Sequence, residues 1–326
     1  NGQPASPTSS SKPPPSSRYG PRITLSKSDR RYRRWLHCQE AHRLDGFLVT
    51  HPPNLSYLLN FTGSAGLALC LEGETQLLVD SRYLEQAKAE CVNCQVVLAD
   101  KSLEESLQEL LPDTGSVRGH RRRIGVEAGH ISYEFVLRLQ SWKTPAEWIP
   151  THNLIEELRM IKDKTELRVL QEVFQMAHQA LDRTIPLIHP GMREVEVAGL
   201  LELELRRTGS LAPPFETIVA SGHRSSQPHG TASSKRITRD EFVLIDFGAK
   251  HKGYCSDLTR IHAFPDNLMP DIFNIVLEAQ DAALAAIRVG GLSSEIDQAA
   301  RSVIEKWGHG SHFGHSCGHG LGLEIH

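Results

Sequence analysis

Apolar positions change their spacing along this chain, and each change predicts a different element. From Arg30 to Leu44 they recur at helical intervals. FLVT (47–50), ALCL (68–71), QLLVD (76–80) and IGVE (124–127) are then short apolar runs bounded by turn residues, which predicts buried strands. Helical spacing returns after Ile161, where Asp163 followed by Glu166 fits a capping box and Leu167, Leu170, Phe174, Ala177 and Leu181 repeat every three to four positions. One helix to about Ile188 is expected, closed by His189-Pro190-Gly191, with a second from Arg193 to Arg207 stopped by Gly209. FETIVAS (215–221), FVLIDFG (242–248) and YCSDLTRIHAF (254–264) read as strands, and a helix pair spans roughly Pro270 to Trp307. The fold class is therefore α/β (α+β), with a tail at 1–28, a first domain at 29–155 and a second at 156–326.

Length agrees with this division, since 326 residues is about two domains of ~100–200 residues each. Lys and Arg (36) nearly balance Asp and Glu (39), a net charge of −3, which argues against nucleic acid as a partner. Apolar runs such as 282–287 fall far short of the ~18 residues a membrane span needs, so no membrane association is expected. Six cysteines are too sparse for a disulfide scaffold, and only Cys91 and Cys94 form a C-x-x-C pair, so a cytoplasmic, reducing location is expected. Residues 1–28 are rich in Pro and Ser and lack acidic residues, which predicts a disordered tail, with a transit peptide as the second reading of the same segment. The basic run RGHRRR (118–123) is expected to be a solvated loop before the strand IGVE.

Candidate chemistry centres on two carboxylates. Asp246 and Asp257 lie in successive strands, and a hairpin closing about the 251/252 midpoint would place them directly opposite, with Cβ atoms about 4.5–5.5 Å apart. Like charges so placed need a shared proton, a nearby Arg or a divalent metal, unless one carboxylate turns to solvent or pairs with Arg260. Five of the 17 histidines (His309, His312, His315, His319, His326) fall in the last 18 residues, interleaved with glycines. Mixed carboxylate and imidazole donors suit Mn2+, Co2+, Zn2+ or Fe2+, and bridging carboxylates suit two such ions activating one water.

LIDFGAKHKGYCSDLTR, the upstream PHGTAS and GHSCGHGLGLEIH resemble the signatures of the pita-bread metallopeptidases, the group of aminopeptidase P, prolidase and methionine aminopeptidase. The likeness runs from about residue 155 to the end. The domain before it resembles the small creatinase-type amino-terminal α/β domain, which methionine aminopeptidase lacks. This resemblance implies a pita-bread catalytic domain with Asp246, Asp257 and His319 as metal ligands. It also implies that His229, His315 and His326 face the substrate, as catalytic and substrate-binding residues holding the scissile carbonyl and stabilising the tetrahedral intermediate. Two divalent ions, Mn2+ foremost, are implied as cofactors, proline-containing peptides as substrates, and a homo-oligomer as the assembly.

By the same resemblance the expected activity is release of an N-terminal residue from Xaa-Pro peptides, as in aminopeptidase P, because IVASGHRSSQPHGTAS and CGHGLGLEIH are similar to the bacterial aminopeptidase P branch. The alternatives are an Xaa-Pro dipeptidase, and a non-catalytic binding module on the same fold. The family completes its site with two glutamates downstream of the histidine tract, and Glu324 does not match either position. Because the chain starts at Asn1 and stops at His326 inside that tract, it is expected to be a partial sequence.

Overall fold

A computed structural model describes residues 30–111, 121–265 and 271–326. The expected tail at 1–28, residues 118–120 of the basic run and Pro270 lie outside the described residues. The chain divides into two compact units that part between Leu158 and Arg159, within a short helix.

In the first unit α1 (Arg30–Ala41), β1 (Gly46–Val49), α2 (Pro52–Leu59), β2 (Leu67–Leu71), β3 (Glu74–Val79), α3 (Leu84–Glu90), β4 (Gln95–Leu98), α4 (Leu103–Leu110), β5 (Arg122–Glu127), α5 (Tyr133–Ser141), β6 (Ala146–Thr151) and α6 (Leu154–Met160) follow in order. The strands form one mixed sheet, β4-β3-β2-β1-β5-β6. β1 runs parallel to β5 and antiparallel to β2. The run Phe47-Leu48-Val49 is apolar because β1 is covered on both faces, and all four β1 residues are buried. Trp35 of α1 is fully buried with its ring edge-on to Phe47, centroids 4.7 Å apart, so the amphipathic helix is pinned to the sheet by one aromatic pair. β5 starts earlier than IGVE, taking in Arg122 and Arg123. Arg122 is drawn into the ladder opposite Ala146, and its guanidinium donates to Glu72 at 2.8 Å.

The second unit continues with α7 (Lys164–Thr184), α8 (Glu194–Arg207), β7 (Ile218–Ser221), β8 (Phe242–Phe247), β9 (Lys250–His251), β10 (Tyr254–Cys255), β11 (Leu258–Ala263), α9 (Asp271–Ala286) and α10 (Ser293–Lys306). The capping box forms as expected: the Asp163 carboxylate accepts from the amides of Thr165 and Glu166, and Glu166 accepts from the Asp163 amide. The buried face of α7 is Val169, Val173, Ala177, Ala180 and Leu181, whereas Leu167 is exposed. Leu167 keeps the helical spacing with Leu170 and Phe174, but those two flank the core face, from which Leu167 is offset by two positions at Val169 and six at Val173. α7 and α8 pack on one face of the sheet β11-β8-β7 through Val173, Leu181, Val197, Leu201, Val219, Val243, Ile245, Phe247 and Leu258. FVLIDF looks uniformly apolar, yet burial along β8 alternates strictly. Val243, Ile245 and Phe247 enter the helix-facing core, and Asp246 points to the opposite face. No helix among the described residues is long and apolar enough to cross a membrane.

Candidate active site

Lys252 and Gly253 both adopt left-handed conformations (φ 50° and 84°) and close the hairpin between His251 and Tyr254. Two consecutive residues with positive φ make the turn whose twist matches paired strands, and Gly253 supplies the position that a side chain tolerates least. The hairpin centre is therefore 252/253, not 251/252, and every partner moves by two. Asp246 stands opposite Thr259, and Asp257 is its diagonal neighbour rather than its direct partner as the sequence predicts. A shift of two preserves the face, so the carboxylates still meet.

Their meeting has an electrostatic signature. Burial pushes the Asp246 carboxyl above its ordinary range; a hydrogen bond from Thr259 Oγ1 (3.0 Å to Oδ1) works against this, and the charge and hydrogen-bond contact of Asp257 add to the rise. His229 contributes an opposing, charge-stabilising influence on Asp246. Asp257 Oδ2 lies 3.2 Å from His319 Nε2, while His319 Nδ1 faces the Gly320 carbonyl at 2.9 Å. A backbone acceptor on one ring nitrogen turns the other toward the carboxylates, an arrangement typical of ligating histidines. The His326 ring lies 4.3 Å from that of His319, centroid to centroid. Four of the six expected side chains, Asp246, Asp257, His319 and His326, thus join one chain of contacts, and His229 acts on Asp246 through its charge.

His315 is held differently. Its Nδ1 faces the Ser316 carbonyl at 2.8 Å, and its ring stands edge-on to Phe313. The Gly/His tract forms no strand; after a short 3-10 turn (Gly310–His312) it is irregular and is tied to the hairpin by the Cys255 amide donating to Gly322 O at 2.8 Å. Glu324 accepts from Arg159, consistent with its not matching a ligand position. Cys255 is buried and Cys317 is exposed.

The supporting shell was not read from the sequence. Asp297 and Arg301, one turn apart on α10, clamp the tract: Arg301 donates to Asp297 and to the carbonyls of Phe313 and His315, and Asp297 accepts from the Cys317 amide. Their i, i+4 spacing was the available signal, but it looks the same as a surface ion pair. Thr259 was equally visible, two residues beyond Asp257 on the same face.

Whether these residues suit a divalent ion is answered by their donor chemistry. Two neighbouring carboxylates, of which Asp246 has its proton affinity raised by burial and by Asp257 beside it, and an imidazole whose Nε2 is turned toward Asp257, are the hard and borderline donors such ions prefer. Among the described residues no group of three or more His, Cys, Asp or Glu side chains is arranged to hold a metal ion; the contacts here are pairwise. The set fits an ion at the level of donor type and orientation.

Asp246 has a folded-state pKa above its unfolded value, so its charged form is disfavoured by folding, and the penalty is present at neutral pH and fades as pH falls through the folded value. Asp246→Asn is expected to raise the melting temperature of the metal-free protein at pH 7 by ~2–4 °C, the equivalent of about 1 kcal/mol for a like-charge cross-strand pair. The gain should shrink toward pH 4. A variant that melts lower than the parent throughout would show that the two carboxylates do not repel in the folded state.

Residues 168–326 match metallopeptidase family M24, and residues 31–161 match the creatinase/prolidase N-terminal domain. The Xaa-Pro dipeptidase of Pyrococcus furiosus is 36% identical over 290 residues, which cover 88% of this chain and 80% of the relative. The solved Xaa-Pro dipeptidase from Bacillus anthracis superposes with a TM-score of 0.83 at 37% identity, covering 91% of this chain and 82% of its own. X-Pro aminopeptidase from Thermotoga maritima gives 0.81 at 33% identity, covering 90% and 83%. With the Asp246, Asp257 and His319 cluster in its second unit and a creatinase/prolidase-type domain in its first, the chain belongs to metallopeptidase family M24.

Proposed function

We propose that this protein is an Xaa-Pro dipeptidase of the prolidase type, hydrolysing the bond before proline. The reading is carried by the joining of Asp246, Asp257, His319 and His326 in one cluster, in a chain whose likeness to named Xaa-Pro dipeptidases extends over both units. The motifs IVASGHRSSQPHGTAS and CGHGLGLEIH point to aminopeptidase P by resemblance. The Pyrococcus and Bacillus relatives favour the dipeptidase instead, while the Thermotoga structure keeps the aminopeptidase as the second reading.

Asp246, Asp257 and His319 would hold the divalent ions, with Mn2+ the first choice. Bound there, such ions polarise a peptide carbonyl and lower the pKa of a water nucleophile. The histidines act around them. His229 and His326 would donate hydrogen bonds to the scissile carbonyl oxygen, and such bonds strengthen as negative charge develops on it. His319 orients Asp257 through Nε2 and is itself fixed through Nδ1. His315, seated by Arg301 and Ser316, would reach the substrate from the side of the tract. All six cysteines are free thiols, which supports a reducing, cytoplasmic setting. Self-association remains part of the proposal by family resemblance alone.

The test compares Xaa-Pro dipeptides with Xaa-Pro-Yaa tripeptides in buffers containing Mn2+, Co2+ or Zn2+. A kcat/KM at least about tenfold higher for dipeptides, a difference of about 1.4 kcal/mol in transition-state binding, is expected. Preference for the tripeptide would establish the aminopeptidase reading. A metal-loaded protein that cleaves neither would remove both.

A further inference from the structure

Glu194 is the first residue of α8, and its side chain is wholly buried. Five donors converge on it: the amide and hydroxyl of Ser221 at 2.8 and 2.9 Å, the amide and hydroxyl of Ser233 at 3.2 and 2.6 Å, and Arg224 Nε at 3.0 Å. Burial opposes its charge, but the bonds from Ser233 and Ser221 and the Arg224 guanidinium outweigh it and hold the carboxyl below its ordinary range. Ser221 ends β7, and Ser233 closes the segment that returns toward β8. One carboxylate therefore pinches the two ends of the loop that carries His229.

Inside the loop a second set of bonds continues the path. The Gly230 amide donates to the Gln227 carbonyl at 3.0 Å, closing a turn with Pro228 and His229 at its centre. Thr231, two residues beyond His229, presents its carbonyl to Arg224 Nη2 at 2.7 Å. Arg224 thus spans from the buried anchor to the outgoing strand of the turn, using two nitrogens of one planar fork. His229 itself is exposed, so its location depends on the backbone that bears it.

We infer that Arg224 is a positioning residue, linking Glu194 to the Thr231 carbonyl so that the turn presents His229 to the substrate; this rests on the Xaa-Pro peptidase reading given above. Arg224 touches neither Asp246 nor Asp257 in this arrangement and acts through the loop. A lysine there would keep a positive charge near Glu194 but lose the fork that reaches both acceptors.

The experiment uses the full chain with Arg224→Ala, Arg224→Lys, His229→Ala and Arg224→Ala/His229→Ala. Both Arg224 variants should lose about 10–100-fold in kcat, the range for residues that orient a reacting group, with KM changed less than about threefold. In the His229→Ala background, Arg224→Ala should cost less than about twofold more, since the group it positions is already gone. Amide hydrogen exchange over residues 222–233 should accelerate at least about tenfold, with α7 and α8 unchanged. Full activity in Arg224→Lys, an equal loss with and without His229, or unaltered exchange in the loop would each overturn the inference. If the parent protein cleaves no Xaa-Pro peptide, the functional reading fails by itself, and hydrogen exchange still decides whether Arg224 holds the loop. Arg224→Lys serves that measurement should Arg224→Ala not fold.

Discussion

Asp257→Asn is expected to lower kcat/KM for Xaa-Pro peptides by at least about 10³-fold while leaving the melting temperature of the metal-free protein within a few degrees of the parent. Asp257 is the one side chain in contact with both other candidate ligands: it couples electrostatically to Asp246 and lies 3.2 Å from His319 Nε2. Its loss removes a negative charge from the pair and frees the imidazole that it orients. Metal-assisted polarisation is worth several kcal/mol of transition-state stabilisation, and each 1.4 kcal/mol is a tenfold rate change, so a loss of this size follows if the site assembles around Asp257. Folding is spared for the opposite reason, because an amide relieves the like-charge contact with Asp246. Divalent metal bound per chain, measured by elemental analysis after dialysis, should fall in parallel. His319→Ala should behave in the same way, and the double variant little worse than either, as for residues that act as a unit. Retention of a tenth of the parent activity in Asp257→Asn would mean that the chemistry lies elsewhere in the chain.

The contrast between what could be read early and what could not is clearest around this hairpin. Asp246 and Asp257 stood out because carboxylates in apolar strands carry an electrostatic cost, and that cost is visible in the residue types alone. Their register was not, because a Lys-Gly turn centred one residue later is equally compatible with the pattern, and only the positive φ of Lys252 selects it. An even shift left the face intact, so the chemical inference survived a wrong pairing. β8 was recognised as a strand, but its alternating burial was masked by Leu244 and Phe242, apolar residues on the same face as Asp246. Glu194 was harder still. An acid at the start of a helix reads as a favourable interaction with the helix dipole at the surface, whereas the structure buries it under five donors. Long-range partners such as Ser221 and Ser233 leave no periodic trace, which is why the ligand candidates were legible and the groups that aim them were not.

Gly248→Ala should destabilise the second unit by about 3 kcal/mol or more, and take most of the activity with it. A Cβ at this position would overlap the Ser256 carbonyl oxygen and lie 2.7 Å from Pro214 Cγ, and the first of these is backbone, which cannot rotate away. Overpacking usually costs about 1–3 kcal/mol, and rigid neighbours put a site at the upper end or beyond. For a unit of this size the melting temperature should drop by roughly 6–12 °C. The requirement arises in the gap between the β9-β10 and β8-β11 pairs, where Gly248 and Asp257 belong to no strand: the Ala249 amide is satisfied by the Ser256 hydroxyl at 2.9 Å while the Ser256 amide donates to the Ala249 carbonyl. The strands press together at the residue before Asp257. Relief of the clash must displace Ser256, and with it the carboxylate that sits between Asp246 and His319. Activity should therefore fall further than the fraction unfolded accounts for, even when assayed well below the melting temperature. A Gly248→Ala protein with parental melting and parental kcat would show that the hairpin tolerates a methyl group there, and that the close approach of Gly248 to Ser256 is not what places Asp257.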